Sequence, residues 1–596
     1  MDLGFCQIKE EAEGRGTFAE PLTPSVGAYR SPLPGNRRYH EFRGTHEVIH
    51  WQNYPVPPMR HEALYGDRIV RCFTPRPSSF YGLLADSVAA RPQADAIAFE
   101  GQRWSYAQCA DICQRLAHGL AHHGIAQGDR VVLFVDNRPE FFFALMALQQ
   151  LGAIAVPVGV REQAPGLAYI IQQCEAKGIV CEHHLMDRLP DAATAPALRL
   201  RVIVGETQNN VAGSTNAALD ASPGYGVSFN RLIGDLATPA PTVATAPVTE
   251  TDVAVILYTS GTTGRPKGAM LTHLNIVHSV LHYQAGMKLN ANDRSALAVP
   301  ASHVTGLIAI IAAMVLVGGC TVIVPVFKAD SFIALLQAER VTHTLMVPAM
   351  YQLCLMNAGF ADADLSQWRM GGYGGAPMPV ATIDALAQRL PQLVLLNAYG
   401  ATETTSPTTL MPRGQTRDHA DSVGVALPAA QIRVMDDDGC EVPAGEPGEL
   451  WIAGPMVVPG YWANPEATAA SFTAGFWHSG DLGSVDEEGY VRVFDRKKDM
   501  LNRGGYKIYS VEVENVLMAW PGMVEAALVG RPCPVLGERV HAFVYAPGSP
   551  HDDAALRAHC AAQLADYKVP ETLTWCEAPL PRNANGKLMK RLLRER

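Results

Sequence analysis

The sequence predicts an α/β protein whose larger N-terminal part is built on mostly parallel sheet. A β-branched run at 131–135, an apolar helical segment at 140–151 and a second β-branched run at 153–158 follow one another at the spacing of a strand–helix–strand unit. The same alternation continues to about residue 400. Near Ser422 the pattern changes to short segments separated by turn residues, which is typical of a small antiparallel β region.

The first 75 residues are rich in Pro, Gly, Arg, His and aromatic residues and show no sustained periodicity. They include the breaker cluster Tyr54–Pro58. We therefore expect residues 1–75 to form an irregular extension, and a start at Met59, which would make the preceding part non-native, is an alternative. Charged residues, among them the cluster Lys9–Glu11, stand where a signal peptide would have its apolar core, so no signal peptide is predicted.

From Ser79 the pattern becomes regular. A helix is predicted to open at 80–84, two strands at 96–99 and 103–106 are separated by a tight turn, and helical spacing follows over 106–123. Residues 205–250 are rich in Ala, Thr, Pro, Gly and Asn. We expect that stretch to be a surface excursion and assign no chemistry to it.

One segment, 304–327, contains no charged residue and is long enough to cross a bilayer. Glycines at 306, 318 and 319 and a proline at 325 interrupt it, and its β-branched run comes late. The pattern favours a buried helix, a Gly-Gly turn and a buried strand over a membrane span.

Two strands at 432–435 and 449–452 are predicted to pair in the antiparallel region. The acidic triplet Asp436–Asp438 lies in the turn after the first of them. A solvated turn explains it better than a calcium site.

Composition excludes some classes of function. The chain has 596 residues, a formal net charge of -10 and 12 cysteines. The charge gives no electrostatic case for binding nucleic acid or an anionic membrane. Cys109 with Cys113, and Cys181 with the following histidine pair, are weak zinc candidates because no second ligand pair accompanies either. Reduced, buried thiols fit better, and they suit the cytoplasm.

A loop rich in glycines and hydroxyls follows a predicted strand at 253–257. It reads Tyr258-Thr259-Ser260-Gly261-Thr262-Thr263-Gly264-Arg265-Pro266-Lys267-Gly268. Glycines let backbone N–H groups approach an anion, and the hydroxyls and two cations add donors and charge. This is polyphosphate-binding chemistry, although most loops of such composition bind nothing. It is not a Walker A loop, which places Ser or Thr directly after the lysine.

The order T-S-G-T-T-G-x-P-K-G resembles the nucleotide loop of the adenylate-forming superfamily, which includes acyl-CoA synthetases, peptide-synthetase adenylation domains and beetle luciferases. The resemblance covers roughly residues 75–596, and six motifs occur in the family's order and spacing. It implies a nucleotide site formed in this loop by Thr259, Ser260, Gly261, Thr262, Thr263, Gly264 and Lys267.

Two further motifs bear on the acid. The first, Pro300–Gly306, implies that His303 lies beside the carboxylate pocket, whereas a lone histidine is usually a packed or surface residue. Peptide-synthetase domains place an aspartate just after it to hold an amino group, and its absence here favours a plain carboxylic acid. The second motif is glycine-rich, and by resemblance it borders adenine and the acyl group through Gly375, Ala376 and Pro377.

The motif Asn397–Glu403 carries three implied roles. By resemblance, Tyr399 stacks on adenine, Thr402 contacts the α-phosphate and Glu403 holds Mg²⁺. Acetate-activating relatives carry a tryptophan at the position of Gly400, so the glycine implies an acid larger than propionate. Standing alone, the motif would be a tyrosine in a turn beside a surface acid.

The remaining implied roles lie towards the C-terminus. Asp481 and Arg496 would contact ribose, and Lys498 would be the hinge between two domains. A turn with Gly504 and Gly505 would line the thiol tunnel. Lys587 would bridge the substrate carboxylate and the α-phosphate, whereas Lys590 and the arginines after it are interpreted as a solubilising tail.

Together these features predict residues 1–75 as an extension, 76–495 as a large AMP-binding domain and 496–596 as a small C-terminal domain. The resemblance implies two mostly parallel α/β subdomains with a small β-barrel-like subdomain, then a small mobile α+β domain. It also implies an enzyme that joins a fatty or aryl acid to CoA through an acyl-adenylate, with ATP as co-substrate and Mg²⁺ as cofactor. Whether the protein forms a homodimer is not decided by the sequence.

Four alternatives remain at this stage: a ligase that loads a carrier protein, a light-emitting oxygenase, a nucleotide sensor without activity, and a membrane transporter. A sensor should have lost Glu403, Asp481 or Lys587, and all three are present.

Overall fold

The computed structural model confirms the α/β class and the two mostly parallel sheets. It describes Trp51 and residues 54–205, 226–259, 265–582 and 588–596. These residues belong to a single compact unit, His46–Arg596.

The first α/β subdomain has a seven-stranded sheet within the described residues. In spatial order its strands are Lys267–Thr272, Val253–Thr259, Ile154–Pro157, Arg130–Phe134, Gly178–Glu182, Leu200–Val204 and Val227–Ser228. Neighbouring strands are parallel except for the pair at 253–259 and 267–272, which is antiparallel. The candidate phosphate loop therefore lies between strand Val253–Thr259 and the edge strand Lys267–Thr272, and the edge strand was not predicted.

The second α/β subdomain has nine strands in the part of the chain that is described. In spatial order they are Val425–Ala426, Thr409–Leu410, Val394–Tyr399, Met370–Tyr373, His343–Met346, Arg294–Leu297, Cys320–Ile323, Asp95–Phe99 and Gln102–Ser105. The middle strands are parallel, and the ends of the sheet are antiparallel. Consequently strands Met370–Tyr373 and Val394–Tyr399, which contain the start of the glycine-rich motif and Tyr399, end at the same edge of the sheet.

Two five-stranded sheets follow the α/β subdomains in the described part of the chain. The predicted antiparallel region consists of Gln431–Met435, Gly448–Ala453, Phe472–Thr473, Phe476–Val485 and Val491–Arg496. The C-terminal sheet consists of Leu501–Arg503, Tyr506–Ile508, Glu525–Cys533, Gly537–Tyr545 and Thr572–Trp575. Hydrophobic clusters that contain only residues after 500 pack on this last sheet, so the C-terminal part has a core of its own.

Helices cover the sheets on both faces. The α-helices are Phe80–Ala90, Tyr106–His122, Pro139–Gln150, Ala164–Gln173, Phe229–Ile233, His273–Met287, Ala313–Val317, Ala329–Ala338, Pro348–Met356, Val380–Arg389, Pro465–Ser471, Ser510–Met518, Asp553–Ala561 and Lys590–Arg594. Short 3₁₀ turns occur at His183–Arg188, Ala358–Phe360 and Asp566–Lys568. Every residue of the helix at 139–150 except Glu140 is buried, because the helix lies in the central layer rather than on the surface.

The apolar segment 304–327 forms a buried π-helix at Thr305–Ala312, a short α-helix, a turn and the strand Cys320–Ile323, as predicted. Within the described ranges, no helix combines the length and apolar composition that a membrane span requires. The same residues contain no cluster of His, Cys, Asp and Glu that could hold a metal ion.

The expectation of an irregular extension is wrong for residues 59–73. Strands Met59–Leu64 and Arg68–Phe73 form an antiparallel hairpin. Its second strand alternates, with Val70 and Cys72 buried and Ile69 exposed. Burial against the body of the protein stabilises this hairpin, and the local composition did not reveal it.

Two buried histidines of helix His273–Met287 hold the N-terminal segment in place. The ring of His278 accepts a hydrogen bond from the backbone N–H of Phe73 (3.1 Å), and the ring of His273 accepts one from that of Phe80 (3.1 Å). Burial lowers the pKa of both imidazoles from about 6.5 to about 4. Each ring is therefore held neutral in the folded protein.

We predict that acid destabilises the fold between pH 6.5 and pH 4. The unfolded chain binds these protons near pH 6.5 and the folded chain only near pH 4. The free energy of unfolding therefore decreases as the pH is lowered, by roughly 3 kcal/mol per histidine over the window. Urea unfolding across this range should show a shallower pH dependence for His278→Gln. The exposed His118→Gln is the control, and an unchanged slope in His278→Gln would contradict the assignment.

Candidate active site

The glycine-rich motif and the motif at 397–403 lie side by side. Strands Met370–Tyr373 and Val394–Tyr399 are adjacent and parallel. Gly374 packs so closely on the second that a Cβ there would lie 2.4 Å from the carbonyl oxygen of Ala398. Gly375, Ala376 and Pro377 follow as an exposed turn at this edge.

Three predicted residues form one cluster: Tyr399, Asp481 and Arg496. We call it the ribose cluster, after the contact that the resemblance implies for Asp481 and Arg496. The Tyr399 hydroxyl donates to Asp481 Oδ2 (2.6 Å), and Arg496 Nε pairs with Asp481 Oδ1 (2.6 Å). Burial and the neighbouring carboxylate raise the pKa of Tyr399 well above its usual value, so the hydroxyl stays protonated. Asp481 is only 3% exposed, and its partners hold it in one orientation.

A second group consists of Thr259, Lys267, Glu403 and Tyr461. We call it the phosphate cluster, after the role that the resemblance implies for the loop that begins at Thr259. Thr259 and Lys267 face each other across the antiparallel pair. Glu403 Oε1 accepts from the Tyr461 hydroxyl (2.9 Å) and lies 3.5 Å from Thr259 Oγ1. Lys267 Nζ lies 4.9 Å from the centre of the Tyr461 ring. Residues 260–264, predicted to bind phosphate, lie outside the described part of the chain.

The donor set of the phosphate cluster fits Mg²⁺. Glu403 is 8% exposed, and no described residue donates a hydrogen bond to its Oε2. A carboxylate and a threonine hydroxyl are hard oxygen ligands, and Mg²⁺ takes few such protein ligands and completes its shell with water and phosphate. Glu403, with Thr259 beside it, would hold the ion.

Tyr461 was not predicted from the sequence. The residues around it, Gly460–Trp462, pair with strand Lys267–Thr272 through the N–H of Met270 to the carbonyl of Gly460 (3.1 Å) and the N–H of Trp462 to the carbonyl of Gly268 (2.7 Å). A lone tyrosine after a Pro-Gly pair carries no local signal. Only this long-range pairing brings it to Glu403.

His303 lies at the start of the π-helix Thr305–Ala312 and is exposed. Its ring Nδ1 accepts from the backbone N–H of Thr305 (3.3 Å). The ring therefore makes a local contact with the first residue of the π-helix. Thr402 is half-buried in the turn before Glu403, where its carbonyl accepts from the N–H of Thr405 (3.0 Å).

The glycine at position 400 does not point into open space. A Cβ there would lie 3.1–3.2 Å from Thr404, Pro407 and Thr408. A side chain at this position would therefore contact the turn at 404–408. The expectation that the glycine indicates an acid larger than propionate stays a prediction. Gly375 alone in this region has a Cβ direction with nothing nearer than Val347, at 3.9 Å.

The C-terminal turn with Gly504 and Gly505 is exposed at the end of its hairpin. Lys587 lies outside the described residues. Immediately before and after that gap, Arg582 and Leu588 form a bridge, and the N–H of Met589 donates to the carbonyl of Pro581 (2.8 Å). The residues on either side of the segment that carries Lys587 are therefore paired with each other.

Lys590 is not part of a solubilising tail. Its side chain is 12% exposed, and its ammonium pairs with Glu514 (2.7 Å) and donates to Ser510 Oγ (2.5 Å). Arg594 bonds to Asp499 (2.9 Å) and to the carbonyl of Lys498 (3.1 Å). The interpretation failed because a basic run looks alike whether it is solvated or docked.

These features define an α/β protein in which two polar clusters, one around Asp481 and one around Glu403, are joined by one turn. The sequence matches the AMP-binding enzyme family over residues 84–462 and the C-terminal domain of the AMP-binding enzymes over residues 512–587. The chain belongs to this family, the adenylate-forming superfamily, in its acyl-CoA synthetase branch.

Two curated relatives and one solved structure illustrate the similarity. The chain is 34% identical to a feruloyl-CoA synthase of an Amycolatopsis species over 506 residues, which is 85% of this chain and 96% of the relative. It is 32% identical to the long-chain-fatty-acid–CoA ligase FadD13 of Mycobacterium tuberculosis over 494 residues, 83% and 93% of the two chains. ATP-bound MatB of Rhodopseudomonas palustris superposes with a TM-score of 0.76 at 30% identity, covering 87% of this chain and 98% of MatB.

We predict that Asp481→Asn weakens ATP binding about 10- to 100-fold. The substitution keeps the shape of the side chain but removes the charge that orients Arg496, and a hydrogen bond to a charged group contributes roughly 1.5–3 kcal/mol. Isothermal titration calorimetry measures the effect. Asp486→Asn, which removes a carboxylate paired with Arg492 in the same β region, should leave affinity unchanged. Equal affinities for wild type and Asp481→Asn would contradict the role.

Proposed function

We propose that this protein activates a carboxylic acid with ATP, releases pyrophosphate, and transfers the acyl group from the acyl-adenylate to CoA, leaving AMP. The observation that carries the proposal is the turn from Tyr399 to Glu403. Its first residue contacts Asp481 of the ribose cluster, and its last belongs to the phosphate cluster. An adenine nucleotide bound along this turn would have its ribose at one end and its phosphates at the other.

During activation, the phosphates of ATP carry most of the charge that the site must compensate. Lys267 and the loop that precedes it would bind the β- and γ-phosphates, and Thr402 would contact the α-phosphate. Mg²⁺ held by Glu403 would offset phosphate charge. Arg496 and Asp481 would fix the ribose, so that the α-phosphorus faces the carboxylate beside His303.

Lys587 would stabilise the charge that develops where the carboxylate attacks the α-phosphorus, and pyrophosphate would then leave. Rotation of the residues after Lys498 would withdraw this lysine and bring the turn at Gly504 and Gly505 to the site, while Arg496 would stay with Asp481. The CoA thiol would then attack the acyl-adenylate carbonyl and expel AMP.

The substrate is proposed to be a fatty or aryl acid that is larger than propionate and whose tail carries no charge. The π-helix that begins two residues after His303 contains no charged residue and is buried from Gly306 onward, so an acid bound beside His303 would meet apolar surroundings. No aspartate follows His303 to bind an amino group. The relatives named for ferulate and for long-chain fatty acids support both tail types, and the choice between them is left to experiment.

We predict that Lys587→Ala separates the two half-reactions. Adenylation, measured as pyrophosphate release with the preferred acid, should fall by roughly 10²–10³-fold, because one preorganised cation is lost. Thioester formation from supplied acyl-adenylate should change less than about threefold. Arg591→Ala removes an exposed cation from the same segment and should leave both rates intact. Equal rates in wild type and Lys587→Ala for both steps would refute the role.

A panel of acids tests the function itself. Pyrophosphate release should be fastest with a medium- or long-chain fatty acid or an aryl acid and weak with acetate or propionate. With every acid that is activated, the acyl-adenylate should be converted to a thioester when CoA is added. A thioester formed only with a holo-carrier protein would reassign the acceptor, and release with amino acids alone would reject the proposed substrate class.

A further inference from the structure

Tyr461 lies where two parts of the phosphate cluster meet. Its backbone segment pairs with strand Lys267–Thr272, so Tyr461 is attached to the strand that leaves the phosphate loop. Its hydroxyl donates to Glu403, which belongs to the other α/β subdomain, and its ring faces the ammonium of Lys267. The side chain is 5% exposed, so solvent does not compete for these contacts.

The segment that carries Tyr461 is fixed from several directions. Asn275 Nδ2 donates to the carbonyls of Pro455 (2.7 Å) and Val457 (3.1 Å). Arg68 of the N-terminal hairpin donates to the carbonyl of Val458 (3.3 Å). The N–H of Val458 in turn donates to the backbone carbonyl of Glu403 (2.9 Å). Tyr461 therefore extends from a rigid segment that also holds the backbone of Glu403.

We propose that Tyr461 is a positioning residue, which joins the metal-binding carboxylate of Glu403 to the phosphate-binding strand of Lys267. The proposal rests on the function proposed above. The Tyr461 hydroxyl donates to Glu403 Oε1 at 2.9 Å, and the Thr259 hydroxyl lies 3.5 Å from the same oxygen. Oε2 would therefore be the oxygen left for the ion, and an outer partner of this kind orients a metal ligand.

The test compares Tyr461→Phe with wild type in metal binding as well as in rate. Binding of Mn²⁺ as a probe in the presence of ATP, followed by electron paramagnetic resonance, should weaken by roughly 10–100-fold. ATP binding in EDTA, measured by calorimetry, should stay within about twofold because the ribose cluster is untouched. Excess Mg²⁺ should restore part of the rate of pyrophosphate release.

A matched control separates positioning from packing. Tyr106 is as buried as Tyr461, and its hydroxyl donates to the carbonyls of Met314 (3.1 Å) and Gly319 (2.7 Å), outside the phosphate cluster. Tyr106→Phe should lower the melting temperature as Tyr461→Phe does, without changing Mn²⁺ affinity. Tyr461→Leu, which also removes the ring beside Lys267, should weaken ATP binding in EDTA as well.

Two failures can be distinguished. Unchanged Mn²⁺ affinity in Tyr461→Phe, or an equal loss in Tyr106→Phe, would overturn the positioning role even if wild type releases pyrophosphate. If wild type releases no pyrophosphate with any acid yet Tyr461→Phe still loses Mn²⁺ affinity, the proposed function fails and the positioning role stands.

Discussion

The buried carboxylate of Glu403 is the constraint on which the rest of the site depends. A carboxylate at 8% exposure costs free energy unless hydrogen bonds or cations compensate for lost water. Its compensation comes from Tyr461 and Thr259, which are far away in sequence. Both subdomains must therefore dock in one register before the carboxylate is satisfied, and the same docking assembles the phosphate cluster.

The N-terminal hairpin adds support that lies outside the residues matching the family. Hairpin residues 59–73 precede the matched region, which begins at residue 84. Arg68 nevertheless donates to the carbonyl of Val458, and Val458 donates to the backbone of Glu403. In this chain the hairpin is thus two hydrogen bonds away from the candidate metal ligand, so losses of stability there should reach the site.

Local patterns predicted the elements that local patterns control. Strand Arg130–Phe134 and helix Pro139–Gln150 follow from β-branched and apolar runs, and the motif order identified Tyr399, Asp481 and Glu403 as candidates. Tyr461, the buried Lys590 and the turn beside Gly400 escaped prediction, because each depends on residues brought near only by the fold. Hairpin 59–73 escaped because its alternation is short and contains arginine and cysteine.

The contacts around the proposed hinge are of two kinds: some lie wholly on one side of Lys498, and others connect the two sides. Only contacts of the second kind would break on rotation. Lys590 with Glu514 lies wholly on the C-terminal side of Lys498 and would move as a unit with the segment of Lys587. Asp495, whose carboxylate accepts from the N–H of Ser510, spans the hinge, and burial raises the pKa of that carboxyl. Rotation would exchange this buried contact for hydration of Asp495, which offsets part of the lost hydrogen bond. The lysine can therefore leave with its anchor intact.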